Sequence, residues 1–442
     1  MPKKFLFAWP SRTISYAVGS VLLGYITYFA TDYLGLSAAT VGLVFMISKI
    51  FDGVTDVIAG YLIDRTKTKL GKGRPYELAI IGYWLCMVAM FMAPEMGVAP
   101  SVVYLFVMYS LVNSVFLTLL LCAEPVYLGN SLKHPDHSIT VVSITGFISL
   151  IFTMAASMIL PQLVATVGST REGWGKIALV MGIPFTLLGL IRFFVISERS
   201  DISQKSESQM TIKEMVQVLK QNKYILIFSL IILLSNVGSN LVNSITTYYF
   251  RYIMGDISLA SIMSLSMLAI IVVMVVTPAL SKKFGFINIM RVTTLLGMGG
   301  YLIRLLNVHS LALLFVSNIF GMMGFYTMFS FASKFVIDCI DYGEWKTGIR
   351  SEGTIAAAQS VTAKIGAAVG AGAIGILMGL SGYVGTAATQ TDSANMMIIM
   401  LYSIIPAAFC LIQFILLRRY DLEDHLPKIR AELEEKRKNY TT

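Results

Sequence analysis

VGLVFMISKIFDGVTDVIAGYLI, Val41 to Ile63, reads as a membrane-spanning helix that carries three charges, Lys49, Asp52 and Asp56. At about 100° per residue the three fall within an arc of roughly 60°, with the two aspartates one turn apart. Each charge near a bilayer centre costs roughly 2.5–3.5 kcal/mol on the insertion scale. Such charges must face a protein interior or a watery cavity, and an intramembrane carboxylate pair is first of all an ion site. The competing reading is a buried salt bridge that serves assembly alone. Buried pairs stabilise weakly and are costly to retain for that purpose.

The rest of the chain supports the membrane reading. It has 442 residues, 56% hydrophobic and 13% charged, with mean hydropathy +0.73. A soluble domain is about 25% charged, so the composition belongs to an integral membrane protein. Apolar runs recur near 14–34, 38–63, 77–94, 101–123, 139–166, 177–197, 223–250, 258–281, 289–307, 310–337, 354–380 and 395–417. Their length of about 20 residues suits helices, not a barrel. The first run follows Lys3, Lys4 and Arg12 with no small-residue cleavage site, so it reads as an uncleaved span.

The net charge of +9 is distributed as a topology signal. Arg65, Lys67, Lys69, Lys72 and Arg74 share one short loop, and Lys282, Lys283, Lys346 and Arg350 lie in later loops of the same parity. The alternate loops Gly35–Ser37, Glu95–Pro100 and Ser381–Ala394 carry no Lys or Arg. This asymmetry puts both termini in the cytoplasm with about twelve spans, and it removes the case for a nucleic-acid partner. Cys86, Cys122, Cys339 and Cys410 sit in apolar segments and read as core residues. The four histidines lack ligand spacing, and no phosphate-binding loop, nucleophile elbow or metal signature occurs. The expectation is therefore no catalytic residue, metal or cofactor.

Between Ser197 and Lys223 the chain turns polar, and this stretch separates six spans from six. The predicted fold class is all-α: an N-terminal six-helix bundle over 1–197, a cytoplasmic linker over 198–222, a C-terminal six-helix bundle over 223–417 and a cytoplasmic tail over 418–442. Six plus six with a central linker is the plan of the major facilitator transporters, in which two bundles rock around a midplane site.

Five ordered motifs narrow the resemblance. They are KIFDGVTDVIAG (Lys49–Gly60), DRTKTKLGKGRPY (Asp64–Tyr76), SNVGSNLVNSITTYYFRYIMGD (Ser235–Asp256), DCIDYGEWKTGIRSEG (Asp338–Gly353) and the tail YDLEDHLPKIRAELEEKR (Tyr420–Arg437). Together they resemble the glycoside–pentoside–hexuronide:cation symporters, the group of melibiose permease. The resemblance implies that Asp52 and Asp56 form the coupling-cation site, with Lys49 one turn before them. It also implies that Lys364 of the eleventh span balances the carboxylates and links cation to substrate, with Gln359 nearby. Two carboxylates suit a hard monovalent cation or a shared proton on their own terms.

The sugar positions depart from the family pattern. The family's first-span aspartate falls at Tyr16, its fifth-span arginine near Thr145 and its fourth-span aspartate near Ala123, with Glu124 next. Aromatic platform positions match Tyr127 and Phe329. Glu124 reads either as a replacement polar group opened to ligand by Pro125 or as an interfacial carboxylate. Asn240, with Asn113, Asn236 and Asn243, reads either as a hydroxyl contact or as interhelical glue. Lys334 reads as an i,i+4 partner of Asp338 or as an anion contact. The family's cation-site threonine falls near Leu120, and Thr55 stands where melibiose permease has asparagine. With fewer oxygens on offer, the coupling ion is expected to be H⁺ rather than Na⁺.

Asp64, Arg65, Lys72 and Arg74 in one half, and Asp338, Asp341, Glu344 and Arg350 in the other, suggest a cytoplasmic charge gate. The expected function is cation-coupled symport of a glycoside or related sugar across the cytoplasmic membrane by a multi-pass, monomeric carrier. A same-fold carrier of a lysolipid or organic acid, and a transport-inactive sensor, are the alternatives.

Overall fold

The computed structural model describes residues 3–132, 137–198, 222–348, 352–387 and 389–441. The chain is helical, and among the described residues there is only an isolated bridge, Thr68 with Gly71. In chain order the helices begin with α1 Lys3–Ala8, α2 Pro10–Leu23, α3 Ile26–Asp32, α4 Ala38–Arg65, α5 Ala79–Phe91 and α6 Val98–Ser110. There follow α7 Thr118–Ser131, α8 His137–Thr166, α9 Arg171–Val195, α10 Lys223–Tyr248, α11 Ala260–Ser264 and α12 Leu268–Phe284. The last six are α13 Phe286–Ile303, α14 Leu311–Thr347, α15 Glu352–Leu380, α16 Asp392–Tyr402, α17 Ile404–Arg418 and α18 Leu422–Thr441. Among the described residues, nine helices are long and apolar enough to cross a membrane.

Local chemistry sets several ends. Ser37 accepts from the Thr40 N–H at the start of α4, and Thr170 accepts from Gly173 N–H at the start of α9. Both satisfy one of the orphan donors of a helix N-terminus. At the far end of α14, Gly348 takes a left-handed φ of 73° and closes the last turn onto the Glu344 carbonyl.

The chain clusters into two compact units. One comprises Met1–Gln204, Asn243–Leu265 and Ala371–Ile398; the other comprises Lys205–Val242, Ser266–Gly370 and Ile399–Thr442. In the first, α2 packs on α8 and α9, and α4 on α6 and α7. Gly375 makes the α4 contact of its segment possible: a Cβ there would lie 2.2 Å from the Ala38 carbonyl oxygen and 2.6 Å from Gly42 Cα. Small residues allow such close helix approach in membranes. In the second unit α13 packs against α14 and α17, and Phe228, Phe286, Phe335 and Tyr420 form an aromatic core. Most of the linker expected over 198–222 lies outside the described residues.

The tail is a docked helix. Leu422, Leu426, Ile429 and Leu433 of α18 recur at helical spacing and are buried in the second unit's core. Glu423 accepts from the N–H groups of Phe286 and Ile287, capping α13. Arg430 reaches Asp338 at 3.0 Å and Asp341 at 2.8 Å, and Trp345 donates to Glu432 at 2.6 Å. The hydroxyl of Tyr224 donates to Asp421 and holds that carboxyl below the usual carboxylate range. A carboxylate depressed in the folded state stabilises above its unfolded pKa, and this is lost as pH falls through the lowered value. Acidification below the usual carboxylate range is thus expected to loosen α18 locally, read by hydrogen exchange of its amides.

Leu426→Ala should cost about 2–5 kcal/mol, read as a fall in the thermal-unfolding midpoint of the purified protein. An unchanged midpoint would mean that α18 does not share the second unit's core.

Candidate functional site

Asp52 and Asp56 lie one turn apart on α4, as the spacing predicts, and Asp52 is buried. What joins them comes from another helix. The Thr118 hydroxyl stands 3.2 Å from Asp52 Oδ1 and 3.3 Å from Asp56 Oδ1. Thr118 is itself buried, at 4% exposure. One hydroxyl can donate only one hydrogen, so it cannot satisfy both carboxylates at once, and its oxygen keeps acceptor lone pairs.

The position of Thr118 depends on a break in helix register. Residues Leu111–Leu117 form a π-helix between α6 and α7. In an α-helix residues five apart are separated by about 140°; closing i to i+5 brings them onto one face. Asn113 and Thr118 are such a pair, and the Thr118 hydroxyl contacts the Asn113 carbonyl at 3.3 Å. The Asn113 side chain in turn accepts from Lys49 Nζ at 3.3 Å, and Lys49 lies 5.9 Å from the Tyr109 ring centroid. One widened turn therefore serves both the carboxylates and the lysine, and π-bulges are frequent at functional sites.

Leu120, near which the family's threonine falls, and Thr55 both stand apart from these carboxylates. Leu120 is fully buried, and its carbonyl accepts from Arg12 at 2.7 Å. The Thr55 hydroxyl donates to its own helix, to the carbonyls of Asp52 at 3.0 Å and Phe51 at 3.4 Å, instead of joining the carboxylates.

Glu124 and Tyr127, both expected at the substrate site, lie among other protein side chains. Glu124 Oε2 meets Arg12 at 2.6 Å and its Oε1 meets Arg192 at 3.0 Å. Both arginines also face Glu77, at 3.5 and 3.8 Å, and the side chains of Arg12, Arg192 and Glu77 have no exposed surface. Arg192 stacks 3.4 Å above the Trp9 ring, and Tyr127 packs on Trp9 from the side. Tyr127 is wholly buried and donates to the Ile196 carbonyl at 2.8 Å. These residues form a charge-balanced plug in which two carboxylates neutralise two guanidinium groups. Glu77, Arg12 and Arg192 were not visible as a set, because they lie on segments far apart in sequence.

The remaining candidates divide between the units. In the first, Tyr16 is half-buried with the Arg12 guanidinium 5.6 Å from its ring centroid, and Thr145 is buried. In the second, Asn240 donates to the Asn236 carbonyl at 2.8 Å, while Gln359 and Lys364 are half-buried on α15. Gly366 seats α15 against this face of α10: a Cβ there would lie 2.8 Å from Asn236 Cβ. Phe329 is 43% exposed and touches Tyr326 edge to face.

Of the gate residues, Arg74 donates to the Phe193 carbonyl, and its backbone N–H to Glu198, which also holds Gly73 and Asn130. Arg65 lies over the Tyr61 ring, and Glu344 is half-buried near the end of α14. Asp338 and Asp341 are held by Arg430, and Lys334 takes the i,i+4 pair with Asp338 at 3.1 Å. Arg350 and the side chain of Asp64 lie outside the described residues.

A further carboxylate, passed over in the sequence, lies at the end of α3. Asp32 accepts from Tyr252, from Tyr383 at 2.7 Å and from Thr31 at 2.6 Å. Three segments of the first unit thus meet on one side chain.

The sequence profile of the MFS/sugar transport protein family matches residues 14–424. The isoprimeverose transporter of Lactiplantibacillus pentosus is 31% identical, with 94% of this chain and 88% of that protein aligned. The chain belongs to the MFS/sugar transport protein family. Its resemblance to the glycoside–pentoside–hexuronide:cation symporters holds over nearly the whole length. The glucuronide carrier protein homologue of Escherichia coli is 24% identical over 97% of this chain and 94% of that one. Among solved structures, a bacterial homologue of the human lysosomal transporter Spinster superposes with a TM-score of 0.68 at 13% identity, covering 98% of this chain and 97% of that one. The xylose transporter of Escherichia coli gives 0.61 at 12%, covering 95% and 98%. These last two establish the major facilitator fold. The protein is a multi-pass cell-membrane transporter.

Arg192→Met should leave Glu77 and Glu124 under-neutralised in the plug, at a cost of about 3–5 kcal/mol. The expected result is a low yield of folded protein by size-exclusion chromatography. Normal yield with altered substrate preference would return Glu124 to the substrate site.

Proposed function

We propose that this transporter imports a neutral glycoside together with Na⁺, which binds between Asp52, Asp56 and Thr118. The Thr118 hydroxyl placed between two carboxylates carries this reading. Hard cations are bound by oxygen, and the three groups offer both charged and neutral oxygens at one point. A proton would need only one carboxylate, so the third oxygen favours the metal ion over the proton expected from sequence.

Lys49, held by Asn113, and Lys364 of the other bundle tune the carboxylates. When the cation leaves, these lysines are the charges that can respond, which couples occupancy to bundle movement. The substrate is assigned to Tyr16, Thr145, Asn240, Gln359, Lys364 and Phe329. The neutral hydroxyls of Tyr16 and Thr145 stand where melibiose permease has a charged clamp. The relative named as an isoprimeverose transporter supports a glycoside as substrate.

The reading keeps twelve spans with both termini in the cytoplasm, bundles over 1–197 and 223–417, and a cytoplasmic gate that includes Arg65, Arg74, Asp338 and Asp341.

Membrane vesicles loaded with buffer and given isoprimeverose, a methyl glycoside and a glucuronide would test this. An inward Na⁺ gradient should speed uptake of one neutral glycoside, and Asp56→Asn should abolish the stimulation. Thr118→Val should weaken apparent Na⁺ affinity about 10-fold or more. Uptake that alkalinises the medium and ignores Na⁺ would replace Na⁺ with H⁺. Transport unaffected by either aspartate would remove the symport mechanism.

A further inference from the structure

On the second unit, α12 and α13 enclose an open trough of about 490 Å³ that none of the transport residues use. Its walls are Val272, Val276 and Leu280 of α12 and Val292 and Leu296 of α13, with Met323 beneath. The row at i, i+4 and i+8 follows a helix ridge, and valines on both sides leave the space between ridges unfilled. The two threonines in the wall do not make it polar. Thr277 donates to the Val273 carbonyl at 2.6 Å and Thr293 to the Met290 carbonyl at 3.1 Å. From Val272 to Phe284 the trough runs about 18 Å along α12, which is a little over half of a hydrocarbon core about 30 Å thick.

The end at Phe284 and Asn288 has the opposite character. Lys283 is exposed, with Nζ 5.2 Å from the Phe284 ring centroid. Arg291 gives its hydrogen bonds to neutral acceptors, the Leu417 carbonyl at 2.9 and 3.2 Å and Asn288 Oδ1 at 2.9 Å. Among the described residues neither cation has a carboxylate within ion-pair distance. The nearby acid, Glu423, spends its two oxygens on the N–H groups of Phe286 and Ile287.

A one-chain apolar trough that ends at unneutralised cations matches one molecule. We propose that the α12–α13 trough is a binding site for an anionic glycerophospholipid, with one acyl chain along Val276 and Val292 and the phosphate at Lys283 and Arg291. The cations set selectivity for anionic over zwitterionic lipid, each adding about fivefold near the surface. The trough sets the depth at which the chain sits.

The purified, delipidated full-length protein would be titrated with phosphatidylglycerol and phosphatidylcholine of identical chains, and bound lipid counted by native mass spectrometry. Phosphatidylglycerol should bind at least about tenfold more tightly, and Lys283→Gln with Arg291→Gln should remove most of that preference. Val276→Trp should lower occupancy by both lipids. Phosphatidylglycerol with a photoreactive group in its chain should label peptides within residues 272–296 of the unaltered protein, a readout that does not depend on any variant folding. Equal binding of the two lipids, a preference that survives loss of both cations, or labelling confined to other helices would overturn the assignment.

Discussion

A carboxylate taken out of bulk water must be solvated by something, and a packed protein interior has to supply it. Much of this structure is arranged by that constraint. At Asp52 and Asp56 the answer is a threonine hydroxyl delivered by a π-turn. At Glu77 and Glu124 it is a pair of buried guanidinium groups. At Asp32 it is the hydroxyls of two tyrosines and a threonine, and at Asp338 it is a lysine one turn away and an arginine from the tail. The same requirement thus yields four sites with different capacities. Those answered by fixed opposite charge are bound tightly and resist change. At the Asp52–Asp56 pair a neutral hydroxyl stands within reach of both carboxylates and adds an oxygen beside their charge.

The distinction also explains why some acids suit a transport cycle. An arginine pair in a dry interior holds its carboxylates through strong, directional contacts, and breaking it strands a buried charge. Hydroxyl bonds to a carboxylate are weaker and can be exchanged for water or an ion. Asp32 and the Asp52–Asp56 pair belong to this second class. Glu124 belongs to the first, through its pairs with Arg12 and Arg192. Asp338 and Asp341 lie between these cases, because Arg430 comes from a separate surface helix whose hold depends on the packing of Leu426 and Ile429.

Some of this was legible in the chain. The aspartates one turn apart follow from local spacing and appear as expected, and among the described residues nine helices are long and apolar enough to cross a membrane. The i,i+4 pairing of Lys334 with Asp338 is a property of one helix and is equally readable. The contact of Thr118 with both aspartates was not legible, because Thr118 follows the π-helical turn Leu111–Leu117 on another segment, and no spacing within α4 reports it. The match of Tyr127 to an aromatic position says nothing of Trp9 and Arg192, which pack on its ring. Likewise a basic residue at the start of the first span gives no sign that Arg12 is a fully buried partner of two glutamates.

The sequence by itself determined a helical membrane transporter and the helix that carries its paired carboxylates, because burial in lipid is dictated by composition and periodicity within single segments. Only the tertiary structure decided which charges are neutralised and which are left available. That choice depends on distances of about 3 Å between side chains from segments far apart in the chain, and a single widened helical turn is enough to change it.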